Sequence, residues 1–190
     1  MVKKNNRPRR EWLVLIIAFL LCAAALGALF LKKYEERSRQ PAIPLHPHQE
    51  GTLMVTLFFA SPDGSTLMRE GREIDACGDA ADCVESVVEE LINGPRGELS
   101  PTLPDNASVQ NVQVNGDLAV VDLGEDTIKG IPGGSHAEMT AVYSIVDSIA
   151  VNFPRIKQVK FLFDGKPADT LKGHLDLREP LQPDFTLEQK

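Results

Sequence analysis

Histidine and cysteine are scarce in this chain, with four and three residues among 190. His46 and His48 stand in a proline-rich stretch with no cysteine, carboxylate or further histidine at ligand spacing, so a four-ligand zinc site has nothing to close it. No C-x-x-C pair occurs, which removes the usual dithiol redox motif. A glycine frame ending in lysine is missing as well, and with it the phosphate loop. Basic residues are sparse where nucleic acid would need them. Nine of the twenty lysines and arginines, but only three of the twenty-seven acidic residues, lie at or before Arg39, leaving eleven against twenty-four beyond it. A surface near −13 repels phosphate backbones and anionic headgroups, so no nucleic-acid partner is expected.

Long uncharged runs are absent with one exception, Trp12 to Leu31 (WLVLIIAFLLCAAALGALFL). About twenty such residues at roughly 1.5 Å each cross a bilayer core of about 30 Å. A cleaved secretory signal is the rival reading, because basic residues precede the run and Ala23-Ala24-Ala25 could pass for a small-residue cleavage site. The run continues through Leu26, Leu29, Phe30 and Leu31, which favours an uncleaved anchor. Cys22 follows Phe19-Leu20-Leu21 rather than a small residue, so it reads as an apolar side chain and not a lipidation site. Positive-inside counting puts residues 1–11 in the cytoplasm and the bulk of the chain outside it. Residues 32–50, charged and then punctuated by Pro41, Pro44 and Pro47, read as a semi-extended linker.

Beyond the linker the periodicities are those of a folded domain, residues 51–182, with 183–190 as a tail. Leu53, Val55, Leu57 and Phe59 alternate on one face, and Ser61-Pro62-Asp63-Gly64 turns the chain into a second, more exposed strand from Thr66 to Ile74. Asp79 is placed to cap a helix whose apolar stripe is Val84, Val87, Val88 and Leu91, stopped by Asn93-Gly94-Pro95. Cys77 and Cys83 flank that helix start. A close pair on the oxidising side of a membrane is expected to be a disulfide, against the alternative of two buried thiols. Asn115-Gly116 between Val109–Val114 and Leu118–Leu123 predicts a tight hairpin. Gln158–Asp164 and Thr170–Leu177 read as two last strands, the latter with His174 and Asp176 together on its open face.

The stretch GGSHAE, Gly133 to Glu138, puts serine beside histidine and so raises catalysis. A nucleophile elbow requires a second glycine two residues after the serine, where Ala137 stands. Ser135 and Glu138 instead have the spacing of a capping box, ahead of Met139, Val142, Tyr143, Val146, Ile149 and Phe153 at helical intervals. His174 and Asp176 have no identifiable nucleophile to serve as a base pair. No catalytic, cofactor-binding or metal-ligating residue is assigned.

The order β-β-α-β-β-α-β-β describes an α+β fold, two helices packed on a mainly antiparallel sheet. The strand VTLFF, the helix end EELINGP, the hairpin LPDNASVQNVQVNGDLAVVDL, the helix GGSHAEMTAVYSIVDSIAVNFP and the ending VKFLFDGKPADTLKGHLDLREPL together resemble the GerMN-domain family of sporulation and germination proteins. The resemblance covers Leu53 to Leu181. It implies a small module, similar to ring-building-motif domains, that works outside the membrane in envelope assembly or sporulation, not as an enzyme. It differs from the family's best-known form in having one domain instead of a tandem pair and an anchor instead of a lipoprotein signal. Expected partners are envelope proteins, with a second copy of the chain among the candidates. The alternative is a cell-wall ligand-binding protein or hydrolase with an unrecognised site.

If Cys77 and Cys83 are bridged, blocking thiols in denaturant without reductant will modify one cysteine per chain, Cys22, and three after reduction, as read by intact mass. Three without reduction would remove the disulfide. Closing so short a loop contributes roughly 2 kcal/mol in the chain-entropy model.

Overall fold

Alternation of apolar and polar residues over TLMVTLFFA makes a strand with one face to bury, and a computed structural model, which describes residues 51–189, places it as β1 (Thr52–Ala60). The expected segment 1–11, the Trp12–Leu31 anchor with Cys22, and the 32–50 linker with His46 and His48 lie outside the described residues. Among the described residues no helix is long and apolar enough to cross a membrane. β1 pairs antiparallel with β2 (Leu67–Asp75), from Thr52 opposite Asp75 to Ala60 opposite Leu67. Helix α1 (Ala80–Ile92) starts where Asp79 Oδ1 accepts the Ala81 and Asp82 amides at 2.8 and 3.0 Å. Cys77 and Cys83 are joined in a disulfide across that start, their Cα atoms 5.2 Å apart.

β3 (Val109–Asn115) and β4 (Leu118–Leu123) form the second hairpin, with Asn115 as the last paired residue and Gly116-Asp117 as the turn. Only Gly116 has positive φ there, +66°. Two successive positive φ values occur instead at Asp164 (48°) and Gly165 (75°), joining β5 (Gln158–Phe163) to the two-residue β6 (Lys166–Pro167). Between β4 and β5 lie α2 (Glu125–Gly130) and α3 (Ser135–Asn152).

The expected single sheet is corrected, while its mainly antiparallel pairing holds for three of the four strand pairs. There are two sheets, β1-β2 and β3-β4-β5-β6, and β4 pairs with β5 in parallel, Leu118 opposite Gln158 through Leu123 opposite Phe163. A tight turn dictates antiparallel neighbours, whereas a connection as long as 124–157 lets the chain return in the same direction. The order therefore reads β-β-α-β-β-α-α-β-β. Thr170–Leu177 is not a strand; it makes one bridge, Thr170 to Asp176, although Leu171 and Leu177 are buried as its alternation requires. The supposed tail is also structured. Just before it, Leu181 exchanges two backbone bonds of 2.8 Å with Val159, and within it Phe185–Leu187 forms a 3₁₀ turn packed back on the hairpin.

Val55, Leu57 and Phe59 from β1, the Val84–Leu91 stripe of α1, the inner faces of β4 and β5, and Val142, Ile145, Val146 and Ile149 from α3 form one continuous core. The predicted exposure of the second strand fails at Arg72, which is buried. Its guanidinium bonds the Glu90 carbonyl and carboxylate at 3.0 and 2.9 Å, pairs with Glu70, and lies 5.6 Å from the Phe59 ring centre.

One side of β1 is satisfied by β2; the other would leave backbone groups unpaired. Thr56 N donates to Asn152 Oδ1 at 2.9 Å, Asn152 Nδ2 donates to Thr56 O at 2.6 Å, and Phe58 N donates to Ser148 Oγ at 2.9 Å. Ala60 exchanges bonds with Ser100 at 3.1 and 2.8 Å. Four residues of helix rise about 6 Å and two of strand about 6.7 Å, so side chains at 148 and 152 meet alternate residues of an antiparallel strand.

Ser148→Ala leaves the buried Phe58 amide without a partner and should cost about 1–3 kcal/mol in urea unfolding. Ser86→Ala, whose hydroxyl only bonds Asp82 O on the exposed side of α1, should stay within about 0.5 kcal/mol. Equal small effects would show that Ser148 does not seal this edge.

Candidate functional site

The capping box expected at Ser135 and Glu138 is not formed. Helix α3 begins one residue earlier than that box requires. Gly134, at φ +128°, is the cap residue, and its carbonyl accepts Glu138 N at 3.1 Å. No side chain caps the helix. Glycine takes up a backbone angle that a serine would resist, which leaves Ser135 as the first helical residue, exposed, and frees Glu138 for another role. The adjacent His136 ring bonds Gly64 O in the β1–β2 turn.

Glu138 is fully buried and holds the loop that was expected to be a strand. His174 N and Leu175 N donate to its Oε2 at 3.2 and 3.1 Å, and His174 Nδ1 lies 2.6 Å from Oε1. Burial pushes the carboxyl's pKa up, but the His174 ring and the amides of Leu175, Lys172 and His174 outweigh it and hold the group at about 2. His174 thus pairs with Glu138, while Asp176 pairs with Arg178 at 2.6 Å, and the expected His174–Asp176 face does not exist. A carboxylate orienting an imidazole is half of a general-base arrangement. Its other half is missing among the described residues, where no hydroxyl or thiol bonds the second ring nitrogen. The pair works as a clamp on the loop.

Asp147, nine residues along the same helix, is the group the sequence reading missed. It is fully buried. Its Oδ1 accepts Asp184 N at 2.9 Å and its Oδ2 has no partner among the described residues. Burial raises its pKa to about 7, helped by the nearby Asp184 and Glu188 carboxylates and opposed by the Asp184 amide. The available signal was one aspartate inside AVYSIVDSIAV, a helix stretch with no other charge, since unpaired carboxylates rarely enter cores.

A polar depression of about 230 Å³ lies at the carboxyl ends of the parallel strands, where open α/β sheets commonly take ligands. Ser108, Gln110, Glu125, Asp126, Lys129 and Asp164 line it. Its charges are largely used internally: Lys129 lies 2.8 Å from Asp126, and Glu125 N donates to Asp164 Oδ1 at 3.3 Å. Among the described residues no group of three His, Cys, Asp or Glu side chains is placed to hold a metal ion.

The two buried carboxyls impose opposite pH dependences. An aspartate titrating near 7 when folded and 3.8 when unfolded makes folding take up a proton. Its contribution is full below about pH 4 and is lost as pH rises towards 7, at no more than about 1.4 kcal/mol per pH unit. Glu138, depressed to about 2 from 4.5, contributes above that upper value and loses its effect in acid. Urea unfolding of Asp147→Asn between pH 4 and 8 should therefore lack a decline that the parent chain shows. Parallel profiles for the two would refute the assignment.

Comparison with known proteins agrees with this architecture. The model of the Germane family, described as sporulation and spore germination, matches residues 56–169. Several solved structures share the fold. A candidate lipoprotein from Clostridium perfringens is 24% identical with a TM-score of 0.51, over 73% of this chain and 94% of that one. The tandem GerMN domains of the sporulation protein GerM from Bacillus subtilis are 18% identical with a TM-score of 0.54, over 70% of this chain and 46% of that one. The first GerMN domain of the same protein gives 17% and 0.50, over 70% and 96%. No curated protein matches. Since the family match spans more than half of the chain, the chain belongs to the Germane family of GerMN-type sporulation and germination domains.

Proposed function

We propose that this protein is a membrane-anchored, extracytoplasmic GerMN-domain protein that binds other proteins of the cell envelope and helps assemble them, without catalysis. The observation that carries this reading is the joining of an uncharged run, Trp12–Leu31, through the proline-punctuated residues 32–50, to a sporulation and germination module at 56–169. The run has the length of a single span, and the basic residues before it favour a cytoplasmic N-terminus. The domain is then delivered to the outer side, the compartment in which a Cys77–Cys83 disulfide persists.

The use made of buried charge supports the same reading. Glu138 secures residues 172–175, Asp147 meets the backbone at Asp184, and Arg72 ties β2 to α1. Groups spent in this way hold surfaces in fixed positions, which is what a docking module requires of its interior.

Chemical crosslinking in intact cells, followed by mass spectrometry, should join residues 51–189 to one recurrent set of envelope proteins, and crosslinks between copies would add self-association. Links to cell-wall polymer alone, or to nothing, would sink the protein-binding reading.

A further inference from the structure

Residues 183–189 form a strap over the outer face of the β1–β2 hairpin. Phe58 points to that face by alternation with Leu57 and Phe59, and it is fully buried yet outside the continuous core. The strap supplies its cover. Phe185 packs on Phe58 with ring centres 6.0 Å apart, and the Arg69 guanidinium lies 5.2 Å from the Phe58 ring centre. Glu188 takes Arg69 Nε and Nη2 at 2.6 and 2.9 Å. Gln189 N donates to Leu67 O at 2.9 Å, so the strap runs parallel to the outer edge of β2.

The fit is incomplete: the Asp184 amide bonds Asp147 and Asp184 Oδ1 accepts Thr186 N and Oγ1 at 3.1 and 2.6 Å, but the charge of Asp184 has the same sign as that of Asp147. Phe185 keeps 40% of its surface in water and the Arg69 side chain 49%. Beneath the strap, Asp147 has one oxygen without a partner, and the strap brings Asp184 and Glu188, both acidic, into its neighbourhood. The other ionisable group beside Asp147 is Tyr143 on α3, and the Arg69 guanidinium on β2 is engaged by Glu188; Thr56 and Phe58 on β1 carry no charge. A buried carboxyl facing like charge is a mismatch that a cation in the position of Asp184 would turn into an ion pair.

We propose that this face, centred on Phe58, Arg69 and Asp147, is a docking site for an extended segment of a partner protein carrying a basic residue, an aromatic residue directly after it, and a carboxylate three positions further on. The strap fills the site in cis as a less complementary stand-in. Each feature of the segment answers a group of this face: the aromatic ring meets Phe58 and Arg69, the carboxylate takes the Arg69 fork, the backbone bonds Leu67 O, and the cation meets Asp147. The advantage over the strap grows as Asp147 loses its proton. This inference rests on the protein-binding function proposed above and names one surface for it.

The probes are two labelled peptides, LQPDFTLEQ, which is the strap with the two residues before it (181–189), and the same sequence with lysine for the aspartate, added to the full chain. A scrambled peptide with the lysine controls for attraction to an acidic protein. Fluorescence anisotropy at pH 8 should show the lysine peptide binding saturably and on the order of tenfold tighter than the parent, with the difference shrinking towards pH 5. Amide hydrogen exchange at residues 184–189 should speed up as it binds. Asp147→Asn should abolish the lysine advantage; if that variant does not fold, the pH 5 measurement on the parent chain makes the same comparison. Absence of saturable binding, equal affinities at pH 8, or a lysine advantage that survives protonation or Asp147→Asn would overturn the site. Crosslinks to envelope proteins through other faces would still leave the broader function standing.

Discussion

Two backbone amides on the free edge of β1, those of Thr56 and Phe58, govern where α3 lies. A strand edge that enters the interior must find partners for its N–H and C=O groups, and here a helix provides them through Ser148 and Asn152. The near equality of four helical residues and two strand residues lets the two elements run side by side. Once α3 is committed to that edge it is enclosed on nearly every side, and residues Ser144 to Ile149 are all buried. The consequences for the rest of the molecule follow from this enclosure.

Enclosure carries Glu138 and Asp147 inside together, and their surroundings then drive them apart. Glu138 meets a ring nitrogen and several amides and stays ionised far into acid. Asp147 meets one amide and two acidic neighbours and titrates near neutrality. Two carboxyls on one helix thus differ because one is given donors and the other is not. The first clamps a loop permanently. The second makes the contact between helix and strap respond to proton concentration, which is why the strap, and not the Glu138–His174 pair, is the part of the structure suited to exchange.

Local signals were legible wherever they were self-contained. The alternation in β1, the Asp79 cap with its valine stripe, and the paired hairpin strands at 109–115 and 118–123 all depend on residues close in sequence. Two-helix α+β character could be read as well, though α2, six residues with little apolar pattern, could not. The GGSHAE stretch misled because S-x-x-E describes a capping box and also describes any serine three residues before a glutamate. Which applies depends on whether the glutamate has a better partner, and residues 172–175 supply one from far along the chain.

The sequence by itself determined the amphipathic elements, the acidic character beyond Arg39, the proximity of Cys77 and Cys83, and the uncharged run at Trp12–Leu31, because each is a property of neighbouring residues. Tertiary structure alone decided the parallel pairing of β4 with β5, the split into two sheets, the return of residues 183–189 onto the hairpin, and the states of Glu138 and Asp147. Those outcomes depend on which distant groups share a desolvated volume, and a carboxyl's charge there follows from the donors and charges that packing brings to it.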